Sequence, residues 1–290
     1  MLPAELARQI RLLEIRTDHL VEEITGGAYR SVFKGRGIEF DEVREYTTDD
    51  DVRTIDWNVS ARMGSAYVKK FVEERELVVM LAVDLSASGD FGAAAKSKRQ
   101  TAAELAALLA FSAGRNGDKV GLILFTDELE LYLPPRAGRK HALRIIRELL
   151  AFQPHHRGTD IDGVLQETAK LMKKRGIVFL LSDLNDPEKF QTSLKLLKLR
   201  QDVVAIELRD PVETDFPLDC PVVFEDAETG EVVEYSGNRE LLNAAAGQLE
   251  EAKSAVCRRA GVDLIPVTCS GDVLKPLIGF FAERRRRMRR

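Results

Sequence analysis

Cysteine, tryptophan and long apolar runs are what this sequence has least of. Its 290 residues hold three cysteines, Cys220, Cys257 and Cys269, and no Cys-x-x-Cys pair. An odd number so spaced suggests neither a disulfide framework nor a zinc site, and each thiol reads as a buried or half-buried small hydrophobe. No run approaches the roughly 18 apolar residues of a membrane helix. The most apolar stretch, Leu77 to Val83, is strand-sized and ends at Asp84. Residues 1–24 carry charges of both signs and no uninterrupted apolar segment, so no secretory leader is expected and a cytoplasmic protein is. Only 7% of residues are aromatic, yet 44% are hydrophobic, which is ordinary for a globular chain and excludes wholesale disorder. The length suits one large or two modest domains, at about 150 residues each.

Basic charge is scarce outside one place. Arg284 to Arg290 contain six arginines; without them, 37 basic residues face 47 acidic ones, so the body carries −10. Such a body is a poor binder of duplex DNA. The tail is a separate question.

The pattern along the chain changes twice. Residues 3–24 read as an amphipathic helix with Leu6, Ile10, Leu13, Leu20, Val21 and Ile24 at three- and four-residue spacings, ended by Gly26 and Gly27. Residues 25–65 show no sustained period and read as short β pieces and turns. From Ala66, buried strands alternate with helices: strands at AYVKKFV, ELVVMLAVD, KVGLILF, ELELYLP, GIVFLLSD, DVVAIEL and VDLIPV, and helices at 95–115, 138–151, 159–174, 187–200, 238–260 and from about 272. This alternation specifies an α/β fold, a mostly parallel, doubly wound (Rossmann-like) sheet with helices on both faces. Two short alternating runs around Glu228-Thr229-Gly230 make a β-hairpin insertion within 210–237. The expected division is 1–75, an N-terminal helix and irregular segment packed on the main domain; 76–275, the α/β domain; and 276–290, a helix end with the basic tail.

Parallel sheets place ligands beyond the carboxyl ends of their strands. There the chain reads Asp84-Leu85-Ser86-Ala87-Ser88. One carboxylate and two hydroxyls at alternate positions suit a hard divalent cation, Mg²⁺ first, with Mn²⁺ and Ca²⁺ as alternatives. Gly158-Thr159-Asp160 at a helix start offers a third hydroxyl, and Leu181-Ser182-Asp183 ends another strand with a carboxylate. The plainer reading of all these residues is capping and turn chemistry.

The set resembles the metal-ion-dependent adhesion site of von Willebrand factor A domains. That resemblance implies Asp84, Ser86, Ser88, Thr159 and Asp183 as the metal ligands, with hydroxyls binding directly and at least one carboxylate through water. It also implies a coordination position open to an acidic group of a partner. Upstream, Phe33-Lys34-Gly35-Arg36-Gly37-x-x-Phe40, Val43-Arg44-Glu45-Tyr46, Asp50-Asp51-Val52-Arg53-x-Ile55-Asp56-Trp57, Ser60-Ala61-Arg62 and Glu73-x-Arg75-Glu76 resemble the signature of the domain of unknown function 58 family, over roughly residues 15–270. Its members are von Willebrand factor A-like and often encoded beside MoxR-type AAA+ ATPases. Asp49 and Ala87 depart from the pattern, each standing where Gly is usual.

The resemblance implies a non-enzymatic adaptor that works with a MoxR-type ATPase on a client protein, in chaperone-like maturation or remodelling. A metal-dependent hydrolase is the alternative, although Ser86 stands where aspartyl-phosphate enzymes of this topology have a second Asp. A binder of RNA or membrane surface through residues 284–290 is a third reading, with Phe280 and Phe281 as an apolar foothold. His155 and His156 precede Thr159 and either border the metal or sit exposed in a loop. Arg44, Arg53 and Arg62 read first as ion pairs to Glu39, Glu45, Asp50, Asp51 and Asp56, and Trp57 as core. Phe33 to Gly37 lacks the Gly-Lys-Ser/Thr ending of a phosphate loop.

Overall fold

The computed structural model describes residues 39–47, 50–72, 77–92, 96–218 and 220–288. The helix read over residues 3–24, the Phe33–Gly37 turn and Asp49 lie outside them. The described residues fall into two compact units, one within Phe33–Leu77 and one within Val78–Arg290.

In the smaller unit, β1 (Glu39–Glu45) pairs antiparallel with β2 (Tyr67–Val72), with an irregularity between Phe40 and Glu42. Acidic side chains organise the segment between them. Asp50 accepts both ends of the Arg44 guanidinium, at 2.8 and 2.5 Å, and the Thr47 amide at 2.9 Å. The Arg44 hydrogen bond, with those of Thr47, holds the Asp50 carboxyl down at about 2. Asp51 caps a 3-10 turn by accepting from the Arg53 amide. Asp56 caps α1 (Trp57–Met63) by accepting from the amides of Asn58 and Val59, and Gly64 ends that helix at φ 77°. A short helix thus stands where β pieces and turns are expected. Seven residues are too few to show a helical period, so the capping Asp56 was the available signal. Of the expected arginine pairs, the Arg44–Asp50 pair is present. Trp57 is 68% exposed, which corrects its assignment to the core.

The larger unit holds a six-stranded sheet in the order β10-β7-β6-β3-β4-β5. Its strands are β3 (Val78–Asp84), β4 (Lys119–Phe125), β5 (Leu129–Arg136), β6 (Ile177–Ser182), β7 (Asp202–Arg209) and β10 (Asp263–Thr268). All run parallel except β5. Only residues 126–128 join β4 to β5, closed by a Thr126 amide to Glu128 carbonyl bond of 2.9 Å. A parallel crossover needs a dozen or more residues, so β5 must turn back as an antiparallel edge. The central strands are buried on both faces, as their unbroken Val, Ile, Leu and Ala content requires.

Helices cover both faces. They are α2 (Lys98–Arg115), α3 (Arg139–Ala151), α4 (Ile161–Leu171), α5 (Pro187–Arg200), a four-residue turn α6 (Pro211–Thr214), α7 (Arg239–Ala260) and α8 (Leu274–Met288). A capping box of Ser97 and Gln100 starts α2, whose Ala/Leu-rich body is buried almost all round. The expected hairpin forms from β8 (Val222–Glu225) and β9 (Val232–Tyr235). Cys257 and Cys269 are buried as expected, but Cys220 is exposed beside the hairpin base. In α8, Phe280 and Phe281 are buried, so they are core residues and not a surface foothold. Arg284 lies over the Phe280 ring and pairs with Asp202 and Asp263, at the amino ends of β7 and β10; Arg287 joins it on Asp263 at 3.0 Å. Those strand ends are opposite the carboxyl ends that carry the candidate site.

Candidate metal centre

Asp84 is the last residue of β3, flanked by β4 and β6, and only 6% of it is exposed. Its two oxygens have separate duties. Oδ1 accepts the Ser86 amide at 2.9 Å, which bends the chain out of the strand. Oδ2 accepts the Ser182 hydroxyl at 2.6 Å, which ties the ends of β3 and β6 together. Ser86 then starts a 3-10 turn over Ala87–Asp90, and the Ser86 and Ser88 hydroxyls lie 3.0 Å apart. The carboxylate and the two hydroxyls therefore share one loop, as the spacing implied.

Thr159 stands just before α4, whose cap is Asp160 accepting from the Gly163 amide. The expected helix start at Thr159 is thus two residues early. Backbone bonds seat this loop against its neighbours: Asp160 donates to Thr126, and Ala87 donates to Arg157 at 2.9 Å. The Thr159 hydroxyl donates to Oε1 of Glu228 at 2.6 Å.

Asp183 follows β6, also 6% exposed, and its charge acts on Asp84. The backbone after it is strained. Leu184 and Asp186 have φ values of 57° and 52°, a region non-glycine residues rarely adopt. The Leu184 side chain is buried and its amide is held by the Ser182 hydroxyl, so packing maintains the turn that presents Asp183.

Electrostatics follow from this placement. Burial, and next the Asp183 charge, push the Asp84 carboxyl up to about 6. A buried cation answers the second carboxylate. Lys98 at the start of α2 is 2% exposed, with its ammonium 3.0 Å from Asp183 Oδ2 and 2.5 Å from Glu213 Oε1. Burial pulls its pKa down, but Asp183 and Glu213 outweigh it and hold the group above its ordinary value. No local pattern marks Lys98; Glu213 shows locally only as the end of the Asp210–Glu213 capping box and Glu228 only as a turn residue, neither pointing to this site. Ser182 was adjacent to Asp183 and had no assigned role.

The donor set fits a hard divalent cation. It is all oxygen, with carboxylates at Asp84 and Asp183 and hydroxyls at Ser86, Ser88 and Thr159. Among the described residues, no group of three or more His, Cys, Asp and Glu is placed to hold a metal. A site here must rest largely on hydroxyls. The histidines are directed elsewhere. His155 Nδ1 lies 2.7 Å from Oε2 of Glu130, which also accepts the His155 and His156 amides. Beside the loops opens a cavity of about 360 Å³, with Ser88, Asp183 and Glu213 on one side and Phe91, Phe216 and Phe224 among its apolar walls.

The model of the family described as "Protein of unknown function DUF58" matches residues 42–255. An uncharacterised protein of Mycobacterium bovis is 31% identical over 289 residues, covering 97% of this chain and 90% of its own. One from Mycobacterium avium is 26% identical over 161 residues, covering 53% of this chain and 94% of its own. Among solved structures, an aerotolerance-related membrane protein from Bacteroides fragilis aligns at TM-score 0.51 and 18% identity, over 73% of this chain and 100% of that one. The conserved hypothetical protein BatB from Bacteroides thetaiotaomicron aligns at TM-score 0.49 and 17% identity, over 72% and 99%. The sheet, with its antiparallel edge and helices on both faces, is the fold this chain shares with the Bacteroides fragilis protein.

Proposed function

This chain belongs to the DUF58 family, and on that premise we propose that it is a non-enzymatic protein-interaction module built around a divalent cation. Asp84, Ser86, Ser88, Thr159 and Asp183 would hold the cation, Mg²⁺ before Mn²⁺ or Ca²⁺. A bound cation supplies one thing: a coordination position that attracts a carboxylate from a partner. The chain's residues do the rest. Ser182 and the Ser86 amide orient Asp84, and Lys98 balances part of the charge on Asp183.

The observation that carries the reading is the union of this oxygen cluster with the apolar cavity beside it, since Ser88 and Asp183 line both. A partner segment with an acidic residue next to a bulky apolar one would satisfy the two together. The hairpin adds apolar surface, with Val223, Val232 and Val233 all more than half exposed. The family resemblance makes that partner a MoxR-type AAA+ ATPase, with the chain as adaptor in chaperone-like maturation or remodelling of a client, in the cytoplasm.

Other readings have less support. A hydrolase needs a positioned base, but His155 is tied to Glu130 and His156 faces Asp127 and Glu128. An anionic surface would have to be read by a tail whose Arg284 and Arg287 are engaged by Asp202 and Asp263.

The test is direct binding between this chain and a purified MoxR-type ATPase from the same organism. Wild type and Asp84→Ala are compared, each with Mg²⁺ and with EDTA. Binding only by wild type in Mg²⁺ is the expected result. Equal binding in all four conditions removes the cation from the contact, and no binding in any of them refutes the ATPase partnership.

A further inference from the structure

One carboxylate at the site belongs to an element that a metal-binding sheet does not need. The β8–β9 hairpin reaches across from residues 222–235, and its turn places Glu228 on Thr159, 69 residues away in sequence. A second bond anchors the same turn to the same loop, as Arg157 Nη2 donates to the Ala227 carbonyl at 2.9 Å. The Arg157 carbonyl in turn accepts from Ala87, inside the Asp84–Ser88 loop. Glu228 is half-buried, and burial first, then the nearby Asp183 charge, raise its carboxyl above the ordinary value.

The turn is built to present this residue. Asp226 Oδ1 accepts the amides of Glu228 and Thr229 at 2.9 and 2.7 Å, and Gly230 closes the turn at φ 73°. The base is equally constrained. A Cβ on Gly237, at φ 88°, would meet the Cys220 carbonyl carbon at 2.2 Å, so the hairpin cannot shift there without breaking that fit. Phe224 packs between Phe216 and Tyr235, with ring centroids at 5.5 and 6.3 Å, and the Phe216 amide is held by Asn243 of α7.

We infer that Glu228 is the chain's own carboxylate for the cation, held by the hairpin in the position that a partner's carboxylate must take. The inference rests on the metal reading above and adds regulation to it. The hairpin is a tethered competitor, and partner binding requires the turn to leave Thr159. The chemistry is that of a hydroxyl ligand and a carboxylate oxygen side by side, which suits adjacent places around one hard cation.

The test is titration of the full chain with Mn²⁺ alone, followed by water-proton relaxation, for wild type, Glu228→Gln and Asp84→Ala. Circular dichroism checks that each variant is folded; Glu228 lies on a surface turn, and Gln retains its shape. Wild type is expected to bind, and Asp84→Ala to lose binding. Glu228→Gln is expected to bind about tenfold more weakly. Excess acetate then recovers the loss in Glu228→Gln, because the position is vacant, and leaves wild type unchanged. Equal Mn²⁺ affinity in wild type and Glu228→Gln overturns the inference, as does an equal acetate response in both. If wild type binds no Mn²⁺, the metal reading itself falls, a result distinct from the other two.

Discussion

Replacing Lys98 with Met removes one charge and keeps most of the side-chain volume. The ammonium lies 3.0 Å from Asp183, with the two side chains only 2% and 6% exposed. At an effective dielectric of about 20, that pair attracts by roughly 5 kcal/mol before desolvation is counted. Removing one partner of such a buried pair strands the other charge, which costs about 3–5 kcal/mol. The second contact, to Glu213, adds at most about 1 kcal/mol because that carboxylate is 40% exposed and screened. Lys98→Met should therefore lose about 3 kcal/mol in EDTA, or about 10 °C in Tm for a domain of this size. A divalent cation beside Asp183 supplies the missing positive charge. At about 100 times its Kd a cation adds roughly 2.7 kcal/mol to wild type and variant alike, so the deficit narrows only by as much as the variant, with Asp183 released from Lys98, binds it more tightly. Urea unfolding of wild type and variant, with EDTA and with Mg²⁺, measures both quantities. A loss below about 1 kcal/mol in EDTA would refute the reasoning about the buried pair. A deficit that Mg²⁺ leaves untouched would place the cation away from Asp183.

Three further outcomes are expected. Asp84→Asn should stabilise the metal-free protein by about 2 kcal/mol net at neutral pH: removing a carboxylate that burial and Asp183 push up to about 6 gains about 3 kcal/mol, and losing one of its two acceptor oxygens costs about 1 kcal/mol; urea unfolding in EDTA checks this, and a loss of stability counts against it. Glu130 is pushed up by burial but held lower on balance by the His155 ring and the His155 and His156 amides. Its stabilisation is present above the ordinary carboxyl value of 4.5 and is lost as pH falls through its lower folded value. The gap between wild type and Glu130→Gln should thus shrink in acid, and a gap that widens there contradicts the assignment. Arg284→Ala should cost about 1–2 kcal/mol, since it leaves Asp202 to Lys198 and Asp263 to Arg287 and uncovers Phe280. Arg286→Ala should be nearly neutral, and thermal melts of the two variants decide the comparison.

The sequence by itself determined the sheet and where the proposed site residues lie along it. Unbroken, strand-length apolar runs such as Val78–Val83 and Ile177–Leu181, each followed within two residues by Asp, read as strands buried on both faces. Asp84, Ser86 and Ser88 lie within five residues, so their convergence at a strand end was legible locally. Thr159 and Asp183 became legible through the resemblance to von Willebrand factor A domains. The hairpin around Glu228 also showed in alternation and turn residues. Tertiary structure decided what those elements meet. Lys98 bonds to Asp183 across 85 residues and to Glu213 across 115, and Glu228 reaches Thr159 across 69. Periodicity and capping report neighbours within about one helical turn, so no local pattern contains these contacts. The exposure of Trp57 and the burial of Phe280 and Phe281 were hidden for the same reason, since burial is decided by which surfaces pack together in space.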